Sequence, residues 1–286
     1  MSPGACPGRA SVTTVLVTGS TDGLGRSVAA ELARRGAAVL VHGRSRERGE
    51  RAVAEIRAET GNDRVALRLA DLADLRQVSA LADEIEQAHP ELHVLINNAG
   101  IGSGLPEGRR RQESRDGYEL RFAVNYLAGF LLTQRLLPLL RASAPARIVN
   151  VASLGQSPID FDDPMLTRHY DGARAYGQSK LAQIMYTIEL AEPVPTDEVT
   201  VNSLHPGTYM PTKIVLEEIG RSVDSLETGT AATVRLATDP ELEGVSGKFF
   251  DREQETTANP QAYDPEARRA LWELSERLIQ AKGDSA

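Results

Sequence analysis

Cysteine occurs once, as Cys6, so the chain has no intrachain disulfide framework and suits a reducing compartment. Positive charge is also in deficit. The 32 Lys and Arg against 40 Asp and Glu leave a formal net charge of −8, which disfavours a phosphate-backbone footprint and hence nucleic acid as a partner. The compact basic run Arg109-Arg110-Arg111 reads as a solvated loop. No stretch approaches the roughly 18 apolar residues of a membrane-spanning helix, so no membrane span is expected. The Pro/Gly-rich leader 1–12 lacks the apolar core of a secretory signal and reads as disordered. Histidines 42, 89, 93, 169 and 205 show no ligand spacing, so no metal site is expected. No repeat and no linker divides the rest. With 41% hydrophobic and 25% charged residues, these absences leave a soluble, cytoplasmic protein with one α/β domain over 13–286.

What is present alternates between β-branched runs and helical periodicity, the pattern of a parallel sheet with helices on both faces. Thr13 to Val17 reads as a first strand, running into Thr18-Gly19-Ser20-Thr21-Asp22-Gly23-Leu24-Gly25 and a helix from Arg26 to Arg35. Strand, glycine turn and helix together make a phosphate site: glycines let the backbone approach a pyrophosphate that the helix N-terminus faces. The spacing is G-x-x-x-G-x-G rather than the commonest dinucleotide fingerprint, G-x-G-x-x-G. After a second strand, Ala37 to His42, the position for an acidic ribose ligand holds Arg44, with Arg46 and Arg48 nearby. These arginines either begin the helix Arg46 to Thr60 or bind a 2′-phosphate. A helix's first turn prefers acids, which favours the phosphate and hence NADP.

A third strand, Val65 to Leu69, ends at Ala70-Asp71-Leu72. Asp71 there either accepts from an adenine amino group or caps the next helix, Asp74 to His89. A fourth strand, Leu92 to Ile96, ends at Asn97-Asn98-Ala99-Gly100, where two amides must brace the turn or line a crevice. Residues 102–116 read as a polar loop. Asn125 lies in the apolar stretch Phe122 to Leu127, and either bonds neighbouring backbone or holds a water. The fifth strand, Arg147 to Val151, delivers Ser153 past its carboxyl end, the side on which open parallel sheets bind ligands; a plain turn residue is the alternative. A sixth strand, Thr200 to Leu204, leads to His205-Pro206-Gly207-Thr208. Residues 208–228 read as a mobile substrate lid without strong helix caps. A short seventh strand lies at Gly247 to Phe250, and a terminal amphipathic helix runs from Pro265 to Lys282.

The chemistry gathers at Tyr176-Gly177-Gln178-Ser179-Lys180. Residues four apart share a helix face, so phenol and ammonium lie one turn from each other. A nearby cation favours the phenolate and lowers a tyrosine pKa, which makes a general acid/base. Two side chains solvated on a helix surface are the bland alternative.

Taken together, Thr18-Gly19-x-x-x-Gly23-x-Gly25, Asp71, Asn97-Asn98-Ala99-Gly100, Asn125, Ser153, Tyr176-x-x-x-Lys180 and Pro206-Gly207 resemble the short-chain dehydrogenase/reductase family. Asp116-Gly117-Tyr118-Glu119, Phe130-Leu131-Leu132-Thr133 and Ala175 to Ala182 look like its retinol-dehydrogenase-like branch. The resemblance implies a Rossmann-type doubly wound sheet of about seven strands and NADP(H) as cofactor. It implies Asn125, Ser153, Tyr176 and Lys180 as the catalytic set. Gly19, Ser20, Thr21, Gly23, Leu24, Gly25, Arg44, Asp71, Leu72, Asn98, Ala99, Gly100, Tyr176, Lys180, Pro206, Gly207 and Thr208 would line the cofactor.

In this reading Ser153 bonds the carbonyl oxygen, Lys180 holds the ribose hydroxyls and lowers the Tyr176 pKa, and Asn125 anchors a water. Relatives place a Thr three or four residues past the Pro-Gly; here Thr208 follows directly and Thr212 is five beyond Gly207, so either could meet the nicotinamide. Met165, Leu166, Tyr170, Met210, Ile214 and Leu216 are expected to line a lipophilic pocket. The activity implied is reduction of a bulky lipophilic carbonyl compound, by a homodimer or homotetramer. Alcohol oxidation, an epimerase, and a non-catalytic NADPH-binding protein are the rivals. The glycine spacing and short C-terminal region speak against the epimerase, and retention of all four polar residues against the binder.

Overall fold

The computed structural model describes residues 12–104 and 110–283; residues 1–11 of the leader, with Cys6, and Arg109 of the basic run lie outside them. Strands β1 (Thr14–Val17), β2 (Ala38–Gly43), β3 (Val65–Leu69), β4 (Val94–Asn97), β5 (Ala146–Val151), β6 (Val199–His205), β7 (Phe249–Asp251) and β8 (Gln254–Glu255) form one sheet in the order β3-β2-β1-β4-β5-β6-β7-β8. The first seven pair in parallel, and β8 adds an antiparallel edge beyond the seven strands expected. Because the order reverses between β1 and β4, the loops leaving their carboxyl ends diverge and open a crevice.

Side chains along each strand alternate between two cores. Leu16, Leu40, Leu95, Ile148 and Val201 face α3 (Leu75–Ala88), α4 (Ala128–Ala142), α5 (Gly172–Ala191) and α8 (Pro265–Gly283). Val15, Val17, Val39, Val41, Ile96 and Val149 face α1 (Gly23–Arg34), α2 (Arg46–Thr60) and α7 (Leu226–Thr238). Covering both faces explains why these strands read as continuous apolar runs.

Caps set the helix boundaries. Ser45 accepts from the Arg48 N–H and Gly61 closes α2 in the left-handed region, so that helix spans the range its sequence predicts. The first helix starts three residues earlier than expected, at Gly23, because the Asp22 carboxylate accepts from the Gly23 N–H. Gly23 and Gly25 therefore lie inside its first turn rather than in a loop before it.

The segment Phe122–Ala142 differs from expectation: it has the length and mean hydropathy, 1.2, of a membrane-spanning helix. More than half of that stretch is buried, with Phe122, Tyr126, Phe130, Leu132, Leu136 and Leu140 in the core. The terminal helix lies across it: Trp272 of α8 meets Phe130 edge-on, ring centroids 5.3 Å apart, and lies 5.8 Å from Tyr186 of α5.

Candidate active site

The carboxyl end of β1 is tied to its neighbours by its first loop residues. Thr18 Oγ1 accepts from the N–H groups of Asn98 and Ala99, 3.0 Å each, and Asn98 Nδ2 returns a bond to the Thr18 carbonyl at 2.8 Å. Gly19, at φ +63, runs so close to Ala99 that an added Cβ would come within 2.7 Å of the Ala99 Cα. An added Cβ on Gly25 would overlap the Asn98 amide and the Gly19 carbonyl. These two glycines are thus required by contacts within the protein, whereas the expectation assigned them to a pyrophosphate. The N–H groups of Leu24 and Gly25 have no intrahelical acceptor and point out of the α1 N-terminus, where the helix dipole favours an anion.

His42, which the sequence did not single out, completes this turn. Its Nδ1 accepts from the Gly19 N–H at 3.1 Å and its Nε2 lies 3.2 Å from the Ala70 carbonyl, partners that place the proton on Nε2. Burial drives its pKa down to about 4, so it is neutral at physiological pH. Ser20 is spent similarly: its hydroxyl donates to the Val17 carbonyl and accepts from the His42 N–H, and its own N–H goes to the His42 carbonyl. Ser20 therefore shapes the turn, with its N–H and hydroxyl proton both engaged within the protein.

Of the other expected cofactor residues, Arg44 is exposed just past β2 and makes no hydrogen bond or ion pair with the described residues. Arg46 pairs with Glu50 at 3.5 Å. Thr21 lies against Gly43, beside Arg44. Asp71 Oδ1 accepts from the Ala73 N–H, and the Asp71 N–H goes to Gln77, so capping of α3 falls to Asp74 instead. The Leu72 side chain belongs to the core. Asn98 braces the turn as described, and Asn97 does the same deeper down, donating to Thr133 and Asn150. Pro206 and Gly207 are buried past β6. Thr208 is held by Asp224 through its N–H at 2.6 Å and by His205 through its hydroxyl at 3.1 Å. Thr212 instead brings its methyl group next to Gly23, at the mouth of the crevice.

Across the crevice stand the reactive groups. β5 ends two residues before Ser153, whose Oγ accepts from the Gly155 N–H at 3.0 Å. The 20-residue α5, capped by Asp171, presents Tyr176 half-buried and Lys180 buried on one face. Lys180 Nζ sits 5.8 Å from the Tyr176 ring centroid and donates to the Val151 carbonyl at 2.8 Å and Gln183 Oε1 at 2.9 Å. One of its three donor positions is left for a ligand.

Burial raises the Tyr176 pKa, a hydrogen bond with Ser153 pulls it down, and the Glu218 carboxylate pushes it up. Burial also lowers Lys180, to about 7. The net shift of Tyr176 is therefore upward, against the lowering by Lys180 that the spacing implies. Taking each group out of water disfavours its charged form, which raises the phenol and lowers the ammonium.

Asn125 lies in a π-helical turn, Phe122–Leu127, that the apolar pattern did not betray. Its Oδ1 accepts from the Ile101 N–H at 2.8 Å, and its Nδ2 donates to the Ile101 carbonyl and to Ser179 Oγ. The amide thus bonds neighbouring backbone, one of the two roles the sequence allowed. It thereby steers Gly100 past Lys180 Nζ.

The lid is also partly different from expectation. Thr212 accepts from the Val215 N–H and caps a short helix, α6 (Lys213–Glu218). Of the six apolar residues expected to line a pocket, Leu166 and Met210 are buried core groups and Met165 packs on the core. The Tyr170 hydroxyl is engaged by Glu119 and Arg121. The exposed large apolar side chains nearby are Leu154, next to Ser153, and Tyr209, Leu216, Ile219 and Val223 in the lid.

Comparison with known proteins agrees with this geometry. Residues 13–219 match the family model of the short chain dehydrogenases. Human retinol dehydrogenase 13 is 39% identical over 96% of this chain and 88% of its own length. Salutaridine reductase from Papaver somniferum superposes with a TM-score of 0.67 at 25% identity, over 84% of this chain and 99% of its own. A putative short chain dehydrogenase from Escherichia coli CFT073, solved with NADPH, gives 0.69 at 26%, over 84% and 96%.

Proposed function

Since this chain belongs to the short-chain dehydrogenase family, in its retinol-dehydrogenase-like branch, and is an oxidoreductase of the alcohol/carbonyl pair, we propose that it uses NADPH to reduce the carbonyl of a bulky lipophilic compound. The observation that carries this reading is the meeting of Ser153, Tyr176 and Lys180 at the carboxyl side of the sheet, opposite the α1 N-terminus. The residues present fit a phosphorylated dinucleotide. The open N–H groups of Leu24 and Gly25 suit the diphosphate, the unpartnered Arg44 guanidinium beside Thr21 suits a 2′-phosphate, and Lys180 keeps one donor for ribose hydroxyls.

A nicotinamide held between the α1 N-terminus and Lys180 would supply the hydride for the carbonyl carbon. Tyr176 gives its phenolic proton to the carbonyl oxygen as that oxygen gains charge, and its raised pKa keeps the proton in place until then. Ser153 donates its hydroxyl to the same oxygen; the Gly155 N–H occupies a Ser153 lone pair, and the hydroxyl proton that pairs with Tyr176 turns to the substrate oxygen. In the reverse direction Tyr176 accepts the alcohol proton. Thr212, beside Gly23, is better placed than Thr208 to meet the cofactor.

The exposed Leu154, Tyr209, Leu216, Ile219 and Val223 suit an apolar substrate approaching between Ser153 and the lid. A multi-ring aromatic ketone is expected to show a kcat/KM at least about tenfold above acetone, since each buried methylene contributes about 0.8 kcal/mol. Equal values for the two ketones would remove the lipophilic assignment. Failure of NADPH to be consumed with any ketone would remove the reductase.

A further inference from the structure

The lid is an Ω-shaped excursion with a closed neck. Asp224 N–H donates to the Thr208 carbonyl, Val223 N–H to that of Tyr209, and Thr208 N–H to the Asp224 carboxylate. Arg252 in turn clasps Asp224. At its far side Glu218, the last residue of α6, ties the lid to the chain leaving β4. Glu218 Oε2 accepts from the Ser103 N–H at 3.1 Å and the Ser103 hydroxyl at 2.6 Å, and Oε1 accepts from the Gly104 N–H at 2.7 Å.

The strap it grips continues from β4 and is clamped from the opposite side as well. Buried Arg121 donates to the Gly102 carbonyl at 2.9 Å and the Ser103 carbonyl at 3.0 Å, while Asn125 takes both backbone groups of Ile101. Arg121 is paired with Glu119 and Tyr170. Gly102 is glycine because of the lid: an added Cβ would overlap the Glu218 carboxylate and the Ile214 side chain.

Two features distinguish Glu218 from an ordinary loop anchor. It has no cationic partner among the described residues, because Lys213 pairs with Glu217 and Arg121 with Glu119. Its charge is held beside the crevice by the strap whose Gly100 passes Lys180 Nζ and Asn125. Its field reaches the phenol of Tyr176.

Resting on the carbonyl-reductase reading above, we propose that Glu218 is a specificity-determining residue of this site. It latches the lid onto the strap Gly102–Gly104, and its unpaired charge turns the chamber against anionic carbonyl compounds in favour of neutral ones. A ketone carrying a carboxylate at its far end has to approach a fixed negative charge with little screening.

The test uses Glu218→Gln, in which one acceptor oxygen becomes an amide nitrogen facing an N–H, together with Gly102→Ala, which displaces the carboxylate sterically. Amide hydrogen exchange is read first, because it needs no turnover. Both variants are expected to speed exchange at Ser103 and Gly104 and across α6 by about tenfold or more, with the β4 and β5 amides unchanged. Unchanged exchange in Glu218→Gln overturns the latch.

Kinetics are then read with methyl 4-acetylbenzoate and 4-acetylbenzoate, which differ in charge at one end. The wild-type preference for the ester, as a ratio of kcat/KM, is expected to fall about fivefold in Glu218→Gln, the effect of a unit charge at roughly 8 Å and intermediate dielectric. An unchanged ratio overturns the charge selection. If the wild type reduces neither of these nor any multi-ring ketone, the reductase reading fails, while the exchange experiment still decides the latch.

Discussion

Replacing Arg44 by Asp tests the cofactor assignment at its most exposed point. The residue follows Gly43 at the end of β2, stands beside Thr21, and has no partner to lose among the described residues. Folding should therefore be indifferent to the change. A hydrogen bond to a charged group contributes about 1.5–3 kcal/mol, which converts to about 10- to 140-fold in affinity at 1.4 kcal/mol per tenfold. The new carboxylate adds repulsion with a phosphate dianion, so the loss for NADPH should lie towards the upper end at low salt and shrink as salt is raised. NADH lacks the phosphate and should change by less than about threefold, within the range of a screened surface charge. Fluorescence titration of both cofactors at two ionic strengths measures this. Equal losses for the two, or no loss for NADPH, would refute the role given to Arg44.

Lys180 carries a pH signature. Its folded pKa, about 7, lies below the ordinary 10.5, so the unfolded chain binds more protons between those values and stability rises with pH across that window. The Tm of Lys180→Met relative to wild type, without cofactor, should be most favourable below about pH 7 and fall off as pH rises toward 10.5; a pH-independent difference contradicts the burial argument. Trp272 of α8 covers Phe130 of α4 and Tyr186 of α5 and so occupies part of the face those helices would offer a second copy; on that ground sizing by light scattering should give a monomer of 30.9 kDa rather than the dimer or tetramer that the resemblance implies. A dimer lost on Trp272→Ala would contradict that. Ile214→Ala should lower kcat/KM for a multi-ring ketone severalfold and leave NADPH affinity alone, because Ile214 touches the strap at Gly102 rather than the α1 turn; a change in NADPH affinity of similar size would place it elsewhere.

Local chemistry made much of this legible from the sequence. The Tyr176–Lys180 spacing needs only helical geometry, and α2 ends where Ser45 and Gly61 say it must. What escaped depends on partners distant in the chain. Glu218 meets Ser103 across 115 residues, and no periodicity in either segment announces the pairing. His42 reaches Gly19 and Ala70 from one strand end, a role that metal-ligand spacing cannot reveal. Met210 and Leu166 resemble pocket residues in a loop, but Met210 packs into a core and Leu166 is fully buried, because apolar content alone does not say which way a loop residue turns. The direction of the Tyr176 shift was missed because spacing gives proximity to Lys180 but not the burial both groups share.

Pre-steady-state turnover of Tyr176→Phe with NADPH and a multi-ring ketone tests the central claim most directly, because the substitution removes one oxygen and its proton and leaves the ring in place. The account predicts NADPH affinity within about twofold of wild type and a hydride-transfer rate lower by about 10²–10⁴-fold, the usual contribution of a positioned general acid. A Tyr176→Phe protein that binds NADPH normally and reduces the ketone at close to the wild-type rate would contradict it.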